Sequence, residues 1–284
     1  MLIDRSRHRV RHFALAVVAT VMVFTSASWL SAHDFFLVPG AFSFSARGDV
    51  EVMAQTSSRF PSSVAPIAFA RVARAVIIGA NGETPIADLS HRGTSLVLKT
   101  RPDAPGQRIV AVTLIPRSAR QTGEGFLRWL ELEGAADAAG QIRQGGKLPL
   151  ADSITRTDVK HAKTLIDIGS RGPRVFRRSS GQTIEFIPQR DPSTVSAGET
   201  LTVRAMFKGR PLAALSAHAT PESVADTAVK AEADLHLKSD AKGMIRIPVA
   251  KGGLWYIRAI HVTQSAPAAW ETHWVSLVFR ARQR

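Results

Sequence analysis

The chain contains no cysteine. Disulfides, thiolate metal centres and lipid attachment through cysteine are therefore excluded. Histidine, carboxylate and backbone groups remain as donors for any metal. Long apolar runs are missing as well. The most apolar stretch, Ala14 to Phe24, falls short of the roughly 20 residues needed to span a bilayer. Enzyme signatures are also absent. No nucleophile elbow surrounds Ser216 or His218, which read as loop residues, and no glycine loop is built to cradle a phosphate. Glu124, Glu131 and Glu133 lie together, but on the polar face of an expected helix, where solvation accounts for them. The sequence therefore reads as a non-enzyme.

What is present begins with an export signal. Met1 to Phe13 carry Arg5, Arg7, Arg9 and Arg11 against Asp4. An apolar core follows, then small residues from Thr25 to Ala32. Residues 1–32 are read as a signal peptide cut after Ala32, with Thr25-Ser26-Ala27 as a competing site. The cut after Ala32 makes His33 the first residue. Its free α-amine and ring Nδ1 then lie on one residue and can chelate a transition metal. Removing 32 of the 284 residues leaves 252. Four arginines and one aspartate leave with the signal, so the formal net charge falls from +14 to +11. Such a charge favours weak contact with anionic cell-envelope surfaces, or marks a solvated basic face. Export to the periplasm argues against nucleic acid as a partner.

Apolar alternation dominates the rest. Strands are expected at 35–38, 50–54, 72–78, 95–99, 108–115 and 164–168, and again at 200–207, 228–237, 244–249, 254–262 and 272–279. One helix is expected over Gly125 to Ala138 with Gly140 as its stop, and a second helical piece over Ser153 to Lys163. Between Arg171 and Gly181 the chain turns basic and glycine-bearing, which reads as a linker or an anion site. The expected organisation is a signal peptide (1–32), an N-terminal β-rich domain with one or two helices (33–170), a linker (171–182) and a C-terminal antiparallel β-sandwich (183–284). Trp129, Trp255, Trp270 and Trp274 stand in apolar periodic contexts and read as core.

Several segments carry a family resemblance: Ala-His-Asp-Phe-Phe-Leu (32–37), Gly-Phe-Leu-Arg-Trp-Leu-Glu-Leu-Glu-Gly (125–134), Lys-His-Ala-Lys-Thr-Leu (160–165), Phe-Lys-Gly-Arg-Pro-Leu-Ala (207–213), Gly-Leu-Trp-Tyr-Ile-Arg-Ala-Ile-His (253–261) and Trp-Glu-Thr-His-Trp-Val-Ser-Leu-Val-Phe (270–279). In this order they resemble the NikM-like family of exported proteins, named after nickel and cobalt uptake components. The resemblance implies a β-rich N-terminal domain followed by a transthyretin-like or carboxypeptidase-regulatory-like sandwich. It also implies periplasmic handling of metal ions. The family marks it carries over are His33 and His261. At His161 and His273 the chain departs from the family, where an aromatic residue is commoner.

Seven histidines follow the signal, and no two have HxH, HxxxH or HExxH spacing, so any site must be assembled by the fold. His33 and His261 are the expected metal ligands, and Asp34 reads either as an added carboxylate or as a residue that only hydrogen-bonds backbone. Two imidazoles and an amine suit a divalent transition metal: nickel, cobalt or copper. The expected function is an accessory component of nickel, cobalt or copper uptake or homeostasis, working with a membrane metal transporter. The alternative is a non-enzymatic interaction or scaffolding module without metal. Glu271 shares a strand phase with His273; the two read as half-exposed strand residues, with a pair between them as the alternative. His91, His218 and His236 are left outside the expected site.

The processing expectation is direct. Intact-mass and N-terminal peptide analysis of the exported protein should find His33 first. A chain beginning at Ser28 or Met1 would remove the amine from the ligand set.

Overall fold

The computed structural model describes residues 33–222 and 234–284. The expected signal peptide and the first part of the expected 228–237 strand lie outside these residues. Asp34–Arg284 forms one unit, which holds the folded body. It is mostly β. In chain order its strands are β1 (Asp34–Pro39), β2 (Ser43–Phe44), β3 (Val50–Ser57), β4 (Val72–Gly79), β5 (Gly82–Pro85), β6 (Asp88–Arg92), β7 (Ser95–Thr100), β8 (Gly106–Leu114) and β9 (Arg117–Thr122). Helices α1 (Gly123–Leu132) and α2 (Ala136–Gly145) follow. The second half comprises β10 (Ser153–Ile168), β11 (Ile184–Pro188), β12 (Thr200–Phe207), β13 (Arg210–Pro211), β14 (Ser216–Pro221), β15 (Leu235–Lys238), β16 (Met244–Pro248), β17 (Gly253–Ala266) and β18 (Ala269–Ala281).

Three sheets result. The central one runs β15-β14-β17-β18-β10-β8-β4-β5, with β2 and β9 also paired to β10. A four-stranded sheet, β1-β3-β7-β6, and another built on β12 with β11, β13 and β16 complete the set. Pairing is antiparallel throughout these sheets except where β10 meets β18 and β2. The central sheet packs on both faces. Ile78, Ile109 and Ala111 join Phe186, Val203 and Ile247 in one core, shared with the β12 sheet. Ile77, Val110 and Val112 join Leu37, Val52 and Leu98 in a second, shared with the β3 sheet. Two-sided burial explains why β4 and β8 read as unbroken apolar runs.

The expected antiparallel sandwich is present in the second half, where β11, β12 and β16 face β14, β17 and β18 across the first core. The expected division into two domains is corrected. β10, from the first half, lies beside β18 over ten rungs from Thr155↔Ala269 to Thr164↔Val278, so strands of both halves share one sheet. The basic stretch is no free linker. Arg174 binds Asp167 (2.7 Å) and Asp191 (2.6 Å), and Arg178 donates to the carbonyls of Gly79 and Ala80. These pairings occupy Arg174 and Arg178, two of the four arginines in the stretch.

Both helix expectations are revised. α1 starts under a Thr122 cap that accepts from the Gly125 N–H. It buries Phe126, Leu127 and Leu130 and ends before Gly134, whose φ of +82° suits glycine. A second helix then runs through Gly140 to Gly145. Ser153–Lys163 is strand, not helix. Its β-branched Thr155, Thr157 and Val159 favour that state, and the residues alternating with them, Arg156 and Asp158, are buried as a salt bridge (2.8 Å). No helix among the described residues is long and apolar enough to cross a membrane.

Lys163 on β10 meets Glu185 on β11 at 2.8 Å, with both side chains buried. The amide and hydroxyl of Ser180 also donate to Glu185. Burial pushes the Lys163 ammonium below its ordinary range. Burial raises the Glu185 carboxyl, but Lys163 and the serine donors outweigh it and hold that group low. Glu185→Ala leaves a buried ammonium without a partner and should cost about 3–5 kcal/mol in urea unfolding. The K163M/E185L double variant should recover most of that loss. An E185A chain as stable as wild type would contradict the pairing.

Candidate functional site

On β17, residues alternate between the faces of the central sheet. Trp255, Ile257 and Ala259 enter the first core. Tyr256 and Arg258 point the other way, toward β1 and the C-terminal end of α1. There the Tyr256 hydroxyl donates to Asp34, and Arg258 Nε lies 3.3 Å from the same carboxylate. Arg258 Nη1 donates to the Glu133 carbonyl at 2.9 Å. Asp34 is thus committed to Tyr256 and Arg258. Its carboxylate lies on the face opposite to that of Ala259 and His261, so the expected contribution of Asp34 beside His261 is corrected.

The next strand extends this polar cluster. β14 pairs His218 with Arg258 on one side and with His236 of β15 on the other. His218 is 6% exposed. Its Nε2–H donates to the Gly134 carbonyl (2.8 Å), while Nδ1 lies 3.0 Å from Asp234 Oδ2. Thr220 donates to the other Asp234 oxygen (2.6 Å), and the rings of His218 and His236 meet edge to face at 4.5 Å. One ligand atom from each of His218, Asp234 and His236 lies within 4.8 Å of the other two. A cavity of about 370 Å³ adjoins them, lined by Glu131, Asp137 and Lys238 among others.

The chemistry of His218 follows from its two contacts. A neutral imidazole carries one N–H, and the Gly134 carbonyl can only accept, so Nε2 holds that hydrogen. Nδ1 then offers a lone pair toward a carboxylate, a contact that only a proton or a cation makes favourable. Gly134 is required for the approach. A Cβ there would lie 2.7 Å from His218 Nε2 and would also occupy a left-handed φ. Burial raises the Asp234 carboxyl, but a proton held on His218 Nδ1 and the Thr220 hydroxyl both bond to it, prevail and hold it below the ordinary range.

Sequence reasoning missed this cluster for identifiable reasons. β14 has only Ala217 and Ala219 facing the core, so His218 read as a loop residue. Glu133 was assigned to a solvated helix face. Instead it follows the last turn of α1, where burial and then the Asp34 charge lift its carboxyl to about 7. Burial also depresses Lys160 and, with Asp34, raises Tyr256. The expected ligands are placed as follows. His33 is the residue before β1 and half-buried. His261 is half-exposed on β17, edge-on to Phe207 at 4.5 Å, directly across from His273. His273 is buried rather than half-exposed, and its Nε2 lies 3.3 Å from Glu271, so the alternative pairing is the one seen. The four tryptophans pack in the cores as expected: Trp255 is in the first, and Trp129, Trp270 and Trp274 surround the helices.

The three-sheet body with its histidine–carboxylate cluster can be set beside known proteins. Residues 30–263 match the family model described as "Domain of unknown function (DUF4198)", and the chain belongs to that family. No curated protein matches. Among solved structures, the D0-D1 domain of intimin is 13% identical, with 86% of this chain and 97% of that one covered, at a TM-score of 0.21. The Escherichia coli adhesin FdeC is 14% identical, with 87% and 63% covered, at 0.22. Trypsin-activated alpha-2-macroglobulin from Escherichia coli is 8% identical, with 87% and 15% covered, at 0.23. TM-scores this low carry no argument about fold or function.

Glu133 supplies a pH test. Its folded-state value near 7 exceeds the ordinary 4.5, so between these values the folded chain holds a proton that the unfolded chain has lost. Stability from this group is full below about 4.5 and is lost as pH rises through 7. The shift corresponds to at most about 3 kcal/mol, discounted to about 1–2 for partial exposure. Glu133→Gln should therefore stabilise at pH 8 by more than at pH 4.5. Equal effects in urea titrations at the two pH values would contradict the buried carboxyl.

Proposed function

We propose that this chain is an exported, periplasmic protein that binds a divalent transition metal, and that His218, Asp234 and His236 hold the ion. The carrying observation is the orientation of His218. Its Nε2 is bonded to a backbone carbonyl, and its Nδ1 faces Asp234 beside His236. Metal-binding histidines ordinarily donate their second ring nitrogen to such a carbonyl, which fixes the tautomer and orients the ring. Two imidazoles and a carboxylate suit nickel, cobalt, copper or zinc, with copper bound most tightly by the Irving–Williams order. In this reading a proton and a metal ion compete for His218 Nδ1, so acid releases the ion.

The DUF4198 match supports the family and the NikM-like resemblance supports the role, an accessory component of nickel, cobalt or copper uptake or homeostasis beside a membrane transporter. The ion is then cargo rather than a resident cofactor. His33 and His261, the ligands expected from the sequence, are not among these three donors.

Isothermal titration of the mature chain with Cu(II) and Ni(II) tests the proposal. His236→Ala and Asp234→Asn should each weaken binding at least tenfold without loss of fold. His91→Ala should not, because His91 is engaged far from the cluster with the Ile67 carbonyl and the Phe69 ring. Gly134→Ala should weaken binding by displacing His218. Unchanged affinity in H236A and D234N would reject the assignment. Absence of any binding would leave the interaction-module reading.

A further inference from the structure

The opposite face of the same sheet carries three more histidines that no local motif foretells. His273 on β18 is paired with His261 on β17 and with Val159 on β10. His161 lies two residues beyond Val159, so all three imidazoles share one face of three adjacent strands. His161 and His273 are each 3% exposed. Phe207, half-buried, covers the open side, its ring edge-on to His261 at 4.5 Å and to His273 at 5.0 Å.

The hydrogen bonding of the two buried rings is lopsided in the same way. His161 Nδ1 is bonded to Thr113 Oγ1 at 2.9 Å, while its Nε2 is buried without a partner. His273 Nε2 meets Glu271 and Thr263, each at 3.3 Å, while its Nδ1 is buried without a partner. Buried polar atoms are nearly always bonded, so two orphan nitrogens on neighbouring strands need an explanation. The Glu271 carboxylate can only accept, so His273 Nε2 holds the hydrogen and Nδ1 offers a lone pair. With the Thr113 hydroxyl accepting from His161 Nδ1, His161 Nε2 offers another. That is how fixed imidazole ligands are prepared.

We propose that His161, His261 and His273 form a second transition-metal site, independent of the His218 cluster, in which Glu271 and Thr113 orient the ligand rings. The ligand class is a divalent ion that favours imidazole nitrogen, such as zinc, cobalt or copper. Unlike the His218 group, this set closes only on binding. The His261 and His273 ring centroids are 6.4 Å apart. Two imidazoles on one ion stand roughly 5–6 Å apart for metal–nitrogen distances of about 2.0–2.1 Å. For this pair the required approach is small, and half-exposed His261 is the ring able to make it. Burial keeps all three rings below the ordinary histidine range, with His161 and His261 at about 4. The charged groups facing the cluster are Glu271, Glu185, Lys208 and Arg74.

Co(II) titration of the mature chain, followed by its visible d–d absorption, tests this site. With His236→Ala in place to remove the first site, one Co(II) per chain should still bind. His161→Phe or His273→Gln added to that background should weaken the remaining binding at least tenfold. Thermal unfolding without metal verifies the fold of each variant. Should a buried substitution fail to fold, His261→Ala at its half-exposed position gives the same reading. Loss of all Co(II) binding in H236A alone would overturn the second site and leave the first standing. Unchanged binding in the H161F, H273Q and H261A backgrounds would also overturn it.

Discussion

The parallel pairing of β10 with β18 is the constraint on which the rest of the structure depends. Ten rungs bind the two halves of the chain into one sheet, and the first core draws its residues from both. The pairing also sets the phase of every side chain on both strands. A one-residue slip would exchange the faces. His161 and Lys163 would leave the first core, and Lys160 and Asp158 would enter it. The His161 and His273 rings therefore rest on this register, and the His218 cluster on the pairings of β14 with β15 and β17.

That register holds an unusual load of buried charge. Arg156 and Asp158 pair with each other, Thr272 adds a bond to Asp158, and the Trp129 ring stacks on Arg156 at 3.7 Å. Lys163 pairs with Glu185 across the first core, and Asp34 with Tyr256 and Arg258 on the other side. Such pairs stabilise a fold less than well-packed apolar residues would, because desolvation offsets most of the attraction. Their geometric effect is more specific. Arg258 ties the end of α1 to the sheet, and the Gly134 carbonyl is thereby held where His218 needs it.

The sequence revealed the strands whose inward residues are large and apolar, including β3, β4, β8, β12 and β17. It concealed those whose inward residues are charged or small. Arg156 and Asp158 disguised β10 as a helix, and Ala217 and Ala219 disguised β14 as a loop. The division at 171–182 followed from composition, but Arg174 and Arg178 spend their charge on Asp167, Asp191 and backbone carbonyls. His261 was legible as the end of a strand face. The His218 cluster was not, because its three donors come from β14, β15 and the residue before β15, and no spacing in the chain encodes that the sheet brings them together.

The central claim is that the cluster beneath Gly134 is a metal site oriented by a backbone carbonyl. Anomalous diffraction from crystals of the mature chain soaked in Zn(II), recorded at the zinc edge, tests it most directly. The account predicts an anomalous peak within bonding distance of His218 Nδ1, Asp234 and His236, with the His218 Nε2 bond to Gly134 retained. A peak elsewhere with none at His218, or a His218 ring turned so that Nε2 holds the ion, would contradict it.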